Sequence, residues 1–123
     1  MLHEAVSGAV IHAAMKVHSV LGPGLLESAY EACLVHELRN QGLNVETQVP
    51  QPVVYEDVRI DAGYRIDLIV AGVVIVEIKS VSEIAPIHKA QLLSYLRLSG
   101  LRVGLLLNFN SVHMRDGVTR MVR

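Results

Sequence analysis

The run Leu68–Val76 constrains the fold more than any other stretch: nine apolar or glycine residues stand between Asp67 and Glu77. A helix needs about 20 such residues to cross a bilayer, so no membrane span is expected here. Val and Ile dominate the run, and Ala71-Gly72 interrupts it. It therefore reads as two adjoining strands, Tyr64 to Val70 and Val73 to Lys79, with apolar side chains on both faces. Strands of that kind belong to a sheet covered by helices on both sides.

The rest of the chain supplies the cover. Val6, Val10, Ala13, Val17 and Leu21 recur at three- and four-residue steps and predict a helix over 4–21. Gly22-Pro23-Gly24 breaks it. A second helix runs from about Leu25 to Gln41, with Leu26, Ala29, Cys33, Leu34 and Leu38 inward and Gly42 as its stop. Val45, Thr47 and Val49 alternate with polar residues, and Pro50 and Pro52 suit an edge or a bend. Val53 to Ile60 turns at Glu56-Asp57. A third helix spans about Pro86 to Ser99 and is closed by Gly100. Arg102 to Asn108 is a buried strand, and Val112 to Val122 is expected as a terminal hairpin turning at Asp116-Gly117. The order α-α-β-β-β-α-β-β makes an α/β fold: a mixed central sheet flanked by helices, in one domain over 1–123.

Composition narrows the function classes. The chain is 51% hydrophobic and 19% charged, enough apolar surface for a core and too few charges for a disordered chain. Its net charge is −1, but the halves differ. Residues 1–61 hold eight acids and three Lys or Arg, a balance of −5, and residues 62–123 hold four acids and eight Lys or Arg, +4. Such a dipolar chain can present a basic face that the total conceals. Arg97, Arg102, Arg115, Arg120 and Arg123 could grip a phosphate backbone there or serve as solubilising charge. The single Cys33 excludes an internal disulfide and a Cys-based zinc site. Met1-Leu2-His3-Glu4 lacks the basic start of a signal peptide, so a cytoplasmic location is expected.

The chemistry is expected where the apolar run ends. Lys79 lies two residues after Glu77, so a strand puts both side chains on one face. Asp67 joins them only if it pairs opposite Glu77, which requires a three-residue turn over 71–73 or a bulge; a two-residue turn would send it to the other face. Two carboxylates meeting there repel each other and favour a divalent cation, and oxygen-only ligands point to Mg²⁺ or Mn²⁺ rather than zinc. A cation can lower the pKa of bound water and polarise a phosphoryl oxygen, while Lys79 can orient that water or neutralise charge on the phosphate. The grouping suits phosphodiester hydrolysis. The same three residues could instead form a structural ion-pair cluster.

Two more groups extend the pattern. On the third helix His88, Gln91 and Tyr95, at steps of three and four, form one polar stripe that can hydrogen-bond phosphate oxygens or merely face solvent. Upstream, Gly24-Leu25-Leu26-Glu27-Ser28-Ala29-Tyr30 places an acid in the first helical turn, where it also suits the helix dipole.

These motifs resemble the GxxExxY proteins, a branch of the PD-(D/E)XK nuclease superfamily. The resemblance spans about His18 to Val122 and takes in Gly24, Glu27 and Tyr30, then Tyr64–Leu68, Glu77-Ile78-Lys79, His88–Gln91 with Tyr95, and Asn108-Phe109. It implies the superfamily's restriction-endonuclease-like core: a helix, a three-stranded meander, a crossover helix and a further strand. It also implies roles. Asp67, Glu77, Glu27 and the Ile78 carbonyl would hold the metal. Lys79, Glu77, Asp67 and Gln91 would be catalytic, and Tyr95, His88 and Tyr30 would bind substrate. Ile66 stands before Asp67 where many members carry proline. The resulting expectation is a metal-dependent nuclease with nucleic acid, DNA before RNA, as partner, working as a homodimer or with a partner protein. A catalytically silent nucleic-acid-binding or regulatory module on the same scaffold is the alternative.

Overall fold

The computed structural model describes residues 2–123. Helices α1 (Leu2–Leu21) and α2 (Glu27–Asn40) precede strands β1 (Val45–Pro50), β2 (Val53–Tyr55), β3 (Val58–Ile60), β4 (Arg65–Val70) and β5 (Val74–Lys79). Helix α3 (Pro86–Ser99), strand β6 (Val103–Asn108), a 3₁₀ turn (Met114–Gly117) and strand β7 (Val118–Val122) follow. Five strands form one mixed sheet in the order β1-β4-β5-β6-β7. β5 and β6 run parallel, connected through α3, and the other neighbours are antiparallel. β2 and β3 form a separate hairpin that turns at Glu56-Asp57, with Glu56 at φ 54°.

The apolar run does what its composition demands. Every residue of β6 is buried, and so is β5 up to Lys79. Val6, Val10, Ala13 and Val17 of α1 and Leu34 and Leu38 of α2 pack on one sheet face, against Leu68, Val70, Val76, Leu105 and Leu107. Leu92, Tyr95 and Leu96 of α3 pack on the other, against Ile66, Ile75 and Leu106. Pro86 starts α3, and Gly100, at φ 78°, ends it by returning its N–H to the Leu96 carbonyl.

The turn between β4 and β5 decides where the acids point. Val70 pairs with Val74, Ile69 with Ile75 and Leu68 with Val76, so the turn is the three residues Ala71–Val73. This is the register that brings Asp67 opposite Glu77.

Two local expectations fail. Leu26 is not inward: it is 78% exposed, because it precedes α2 and only Tyr30, Leu34, Val35 and Leu38 of that helix are buried. The terminal hairpin is absent. Residues 114–117 form a 3₁₀ turn, and β7 pairs back onto β6, with Val118 opposite Leu107. Gly117 is needed for room rather than for a left-handed turn. A Cβ there would collide with the Asn108 main-chain carbonyl. Gly117→Ala is therefore expected to destabilise the fold by about 2 kcal/mol, read as a lowered thermal midpoint.

Candidate active site

The site is built where β4 and β5 stop pairing through their main chains. The Asp67 N–H donates to Glu77 Oε2 at 2.8 Å, and the Ile78 N–H donates to Asp67 Oδ2 at 2.9 Å. Each carboxylate thus satisfies a main-chain donor of the other strand and is held in place by it. β4 also changes sides here. Ile66 packs beneath α3, whereas Leu68 and Val70 pack beneath α1 and α2, so Asp67 occupies the crossover point.

Burial and mutual repulsion govern the charge. Glu77 is 3% exposed. Its burial, with the Asp67 charge beside it, pushes its carboxyl up to about 8. Burial raises Asp67 as well, against the opposing pull of the Ile78 N–H and the Lys79 charge. Lys79, half-buried at the end of β5, is close enough to lower both acids. It is not their ion-pair partner: the salt bridges of the described residues are Lys16–Glu37 and Arg59–Asp61. The Lys79 carbonyl accepts the Phe109 N–H on the β6 side. Alternation along β5 therefore turns the main-chain groups of Ile78 toward β4 and the acids.

Glu27 reaches the end of β5 through its loop. Its Oε2 accepts the Ser80 N–H at 3.1 Å, and the Ser80 hydroxyl donates to the Leu25 carbonyl at 2.7 Å. The Gly22–Leu25 turn is clamped by Tyr30. The Tyr30 hydroxyl donates to the Gly22 carbonyl at 2.6 Å and accepts the Leu25 N–H at 3.1 Å. Its ring is fully buried and stacks on Phe109, with centroids 4.5 Å apart. Direct contact with substrate, expected for Tyr30, does not fit this burial; the side chain positions the loop that carries Glu27. Tyr30→Phe removes both hydrogen bonds at constant packing and is expected to cost about 1–3 kcal/mol in thermal unfolding.

The stripe on α3 divides similarly. His88 Nδ1 accepts the Ala85 N–H at 3.0 Å, which caps the helix, while the side chain also lines a groove. Gln91 and Tyr95 line the same groove. Tyr95 is 4% exposed and its ring meets Tyr64 edge-on at 6.5 Å. Burial first, then the Glu77 and Asp67 charges, push its phenol up to about 12. Tyr95 therefore joins the groove to the acid pair.

Two residues not anticipated from sequence complete the cluster. Gln48 on β1 donates to Glu31 Oε1 at 2.9 Å and to Asp67 Oδ1 at 3.4 Å. It sits at φ 49°, and β1 changes sides at this point, with Val45 beneath α1 and α2 and Val49 beneath α3. Strain of this kind in a residue other than glycine gathers at functional sites. Glu31, raised by burial and by Asp67, adds a further acid. Glu31 lies four residues after Glu27, one helical turn on, and that spacing was the available signal. Asn108 pins the next loop, donating to the Val81 carbonyl at 3.0 Å and accepting the Val81 N–H at 3.1 Å. His18 ties α1 to the Ser111 carbonyl at 2.7 Å.

The chain matches the family model of the PD-(D/E)XK nuclease superfamily over residues 4–121. The chain belongs to that superfamily. Neither a curated protein nor a solved structure matches it.

PD-(D/E)XK nucleases typically use divalent metals, and the donor set here fits one. Main-chain donors occupy Oδ2 of Asp67 and Oε2 of Glu77, which leaves Oε1 of Glu77 and, beside the long 3.4 Å bond from Gln48, Oδ1 of Asp67 to face a cation. Both carboxyls are raised by burial, a cost that a cation would relieve. Among the described residues no three His, Cys, Asp or Glu side chains cluster closely enough to hold a metal by themselves. Glu27, expected to reach a metal directly or through water, is bonded instead to the Ser80 N–H, and its charge acts on Asp67. No helix of the described residues is long and apolar enough to cross a membrane.

Proposed function

We propose that this PD-(D/E)XK chain is a divalent-metal-dependent nuclease that hydrolyses phosphodiester bonds, of DNA before RNA, in the GxxExxY branch. The observation that carries the proposal is the reciprocal bonding of Asp67 and Glu77, which brings two carboxylates together near Lys79, a lysine with no salt bridge among the described residues. The Gly24–Glu27–Tyr30 spacing supports the branch.

In this reading Asp67, Glu77 and the Ile78 carbonyl hold Mg²⁺ or Mn²⁺, with Glu27 acting through water. Bound there, the cation supplies a Lewis acid for the scissile phosphate. The chain's own groups do the rest. Lys79 balances charge that develops on the phosphoryl oxygens, or holds the attacking water by a hydrogen bond. Gln91 and Tyr95 orient the substrate from α3. Tyr30 and Ser80 fix the loop bearing Glu27, and Gln48 holds Asp67.

The structural ion-pair reading asks for a Lys79–Glu77 bridge, which is not among the salt bridges of the described residues. The exposed Val20, Leu21, Leu25 and Leu26, around the α1–α2 turn, support a second copy or a partner protein as part of the working unit. A cytoplasmic location belongs to the same proposal.

A cleavage panel of single- and double-stranded DNA and RNA, with Mg²⁺ or Mn²⁺, tests the reading. Cleavage that Lys79→Ala slows by about 10²–10³-fold supports it; no cleavage of any substrate by the wild type overturns it. Metal should also displace the Glu77 proton. Calorimetry of Mn²⁺ binding is expected to show affinity rising with pH up to about 8, with proton release at neutral pH.

A further inference from the structure

We propose that the groove between α3 and the β2–β3 side of the molecule receives unstacked bases, so that the substrate of this site is a single-stranded segment of nucleic acid. The inference rests on the nuclease reading and adds the form of substrate that reading leaves open. The groove encloses about 590 Å³, within the range of sites that hold small organic groups. Val53, Ile87 and Leu98 give it apolar walls, and Gln91 and Ser94 give it hydrogen-bonding groups.

Three observations select bases as the occupant. Among the described residues no Lys or Arg lines the groove, although a duplex is gripped chiefly by cations on its phosphates. The exposed cations next in the chain, Arg65 and Lys89, are left for a backbone outside it. Tyr64 is 47% exposed while packed edge-on against Tyr95, so one ring is held at a set angle with much of its surface free. A base has a π-face for that ring and polar edges for Gln91 and Ser94, and stacking of this sort is how strands without a duplex are held. Finally, Tyr95 lines the groove and packs in one cluster with Ile66, the neighbour of Asp67 on β4, and Ile75, two residues before Glu77 on β5, so a base in the groove would carry its phosphate on the side of the acids. In a duplex the bases are stacked inside and the groove would meet only backbone.

Binding separates this proposal from the nuclease reading. Fluorescence anisotropy in EDTA, with a labelled 20-nucleotide single strand and the corresponding duplex, reads affinity without turnover. The wild type is expected to prefer the single strand. Tyr64→Ala should weaken single-strand binding about tenfold and leave duplex binding unchanged, whereas Tyr64→Phe should retain the preference. A 2-aminopurine in the strand should be quenched by the wild type and by Tyr64→Phe, but not by Tyr64→Ala. A wild type that prefers duplex, that binds neither, or that Tyr64→Ala leaves unchanged would overturn the groove assignment. Cleavage of duplex alone, with normal turnover in Tyr64→Ala, would sink the groove and leave the nuclease standing. Tyr64-dependent single-strand binding with no cleavage of any substrate would do the reverse.

Discussion

Lys79→Ala is expected to lower turnover by about 10²–10³-fold while leaving the thermal midpoint nearly unchanged. The asymmetry follows from the structure. Lys79 is half-buried at the end of β5 and has no salt bridge among the described residues, so truncating it strands no buried partner. Its charge nonetheless lowers the carboxyls of Asp67 and Glu77. Without it both acids hold their protons more firmly, and metal binding shifts to higher pH. The transition state also loses a cation placed where phosphate charge builds up. Lys79→Arg keeps the charge but replaces a compact ammonium with a planar fork, so it should restore metal binding more fully than turnover. Equal turnover in wild type and Lys79→Ala, with Mg²⁺ saturating, would remove lysine from the chemistry. A large fall in melting temperature for Lys79→Ala would mean that the residue is structural.

The parts of the site legible in the sequence are those set by strand periodicity. Leu68–Val76 can only be buried, and its period of two leaves a small choice of turns; the three-residue turn at 71–73 is the one that makes Asp67 face Glu77. Glu27 could be placed near the acids only through its motif, because nothing in the local pattern says that Ser80 will reach back to Leu25 and Glu27. Tyr30 was visible as a motif residue but not as a clamp. A tyrosine on an amphipathic helix looks the same whether its hydroxyl meets substrate or a neighbouring turn. Gln48 was silent, since a left-handed glutamine in a strand contradicts its own propensity and is held by tertiary contacts alone. Asp116-Gly117 misled for the opposite reason. The pair has a strong hairpin preference, but Gly117 is there to clear the Asn108 carbonyl.

Glu77→Gln is expected to abolish cleavage and, at the same time, to make the metal-free protein more stable at alkaline pH. Glu77 titrates near 4.5 when unfolded, and burial, with Asp67 beside it, raises it to about 8 in the fold. Below pH 4.5 the carboxyl is protonated in both states and costs nothing through ionisation. As pH rises from there to about 8, the unfolded chain releases the proton while the folded chain retains it, so stability falls by up to about 1.4 kcal/mol per pH unit. Above that interval the penalty is complete. Asp67 and Glu31 are raised too and add to the loss in the same direction. Glutamine keeps an oxygen to accept the Asp67 N–H and carries no charge at any pH. The variant should therefore match the wild type near pH 4 and melt roughly 5–10 °C higher near pH 9, both without metal. Mg²⁺ or Mn²⁺ should raise the wild-type midpoint and leave that of Glu77→Gln nearly unmoved, because the variant lacks the second carboxylate. A Glu77→Gln protein that melts lower than wild type at alkaline pH would show that Glu77 supports the fold as an ion, and the two acids would then be a structural pair instead of a place prepared for a cation.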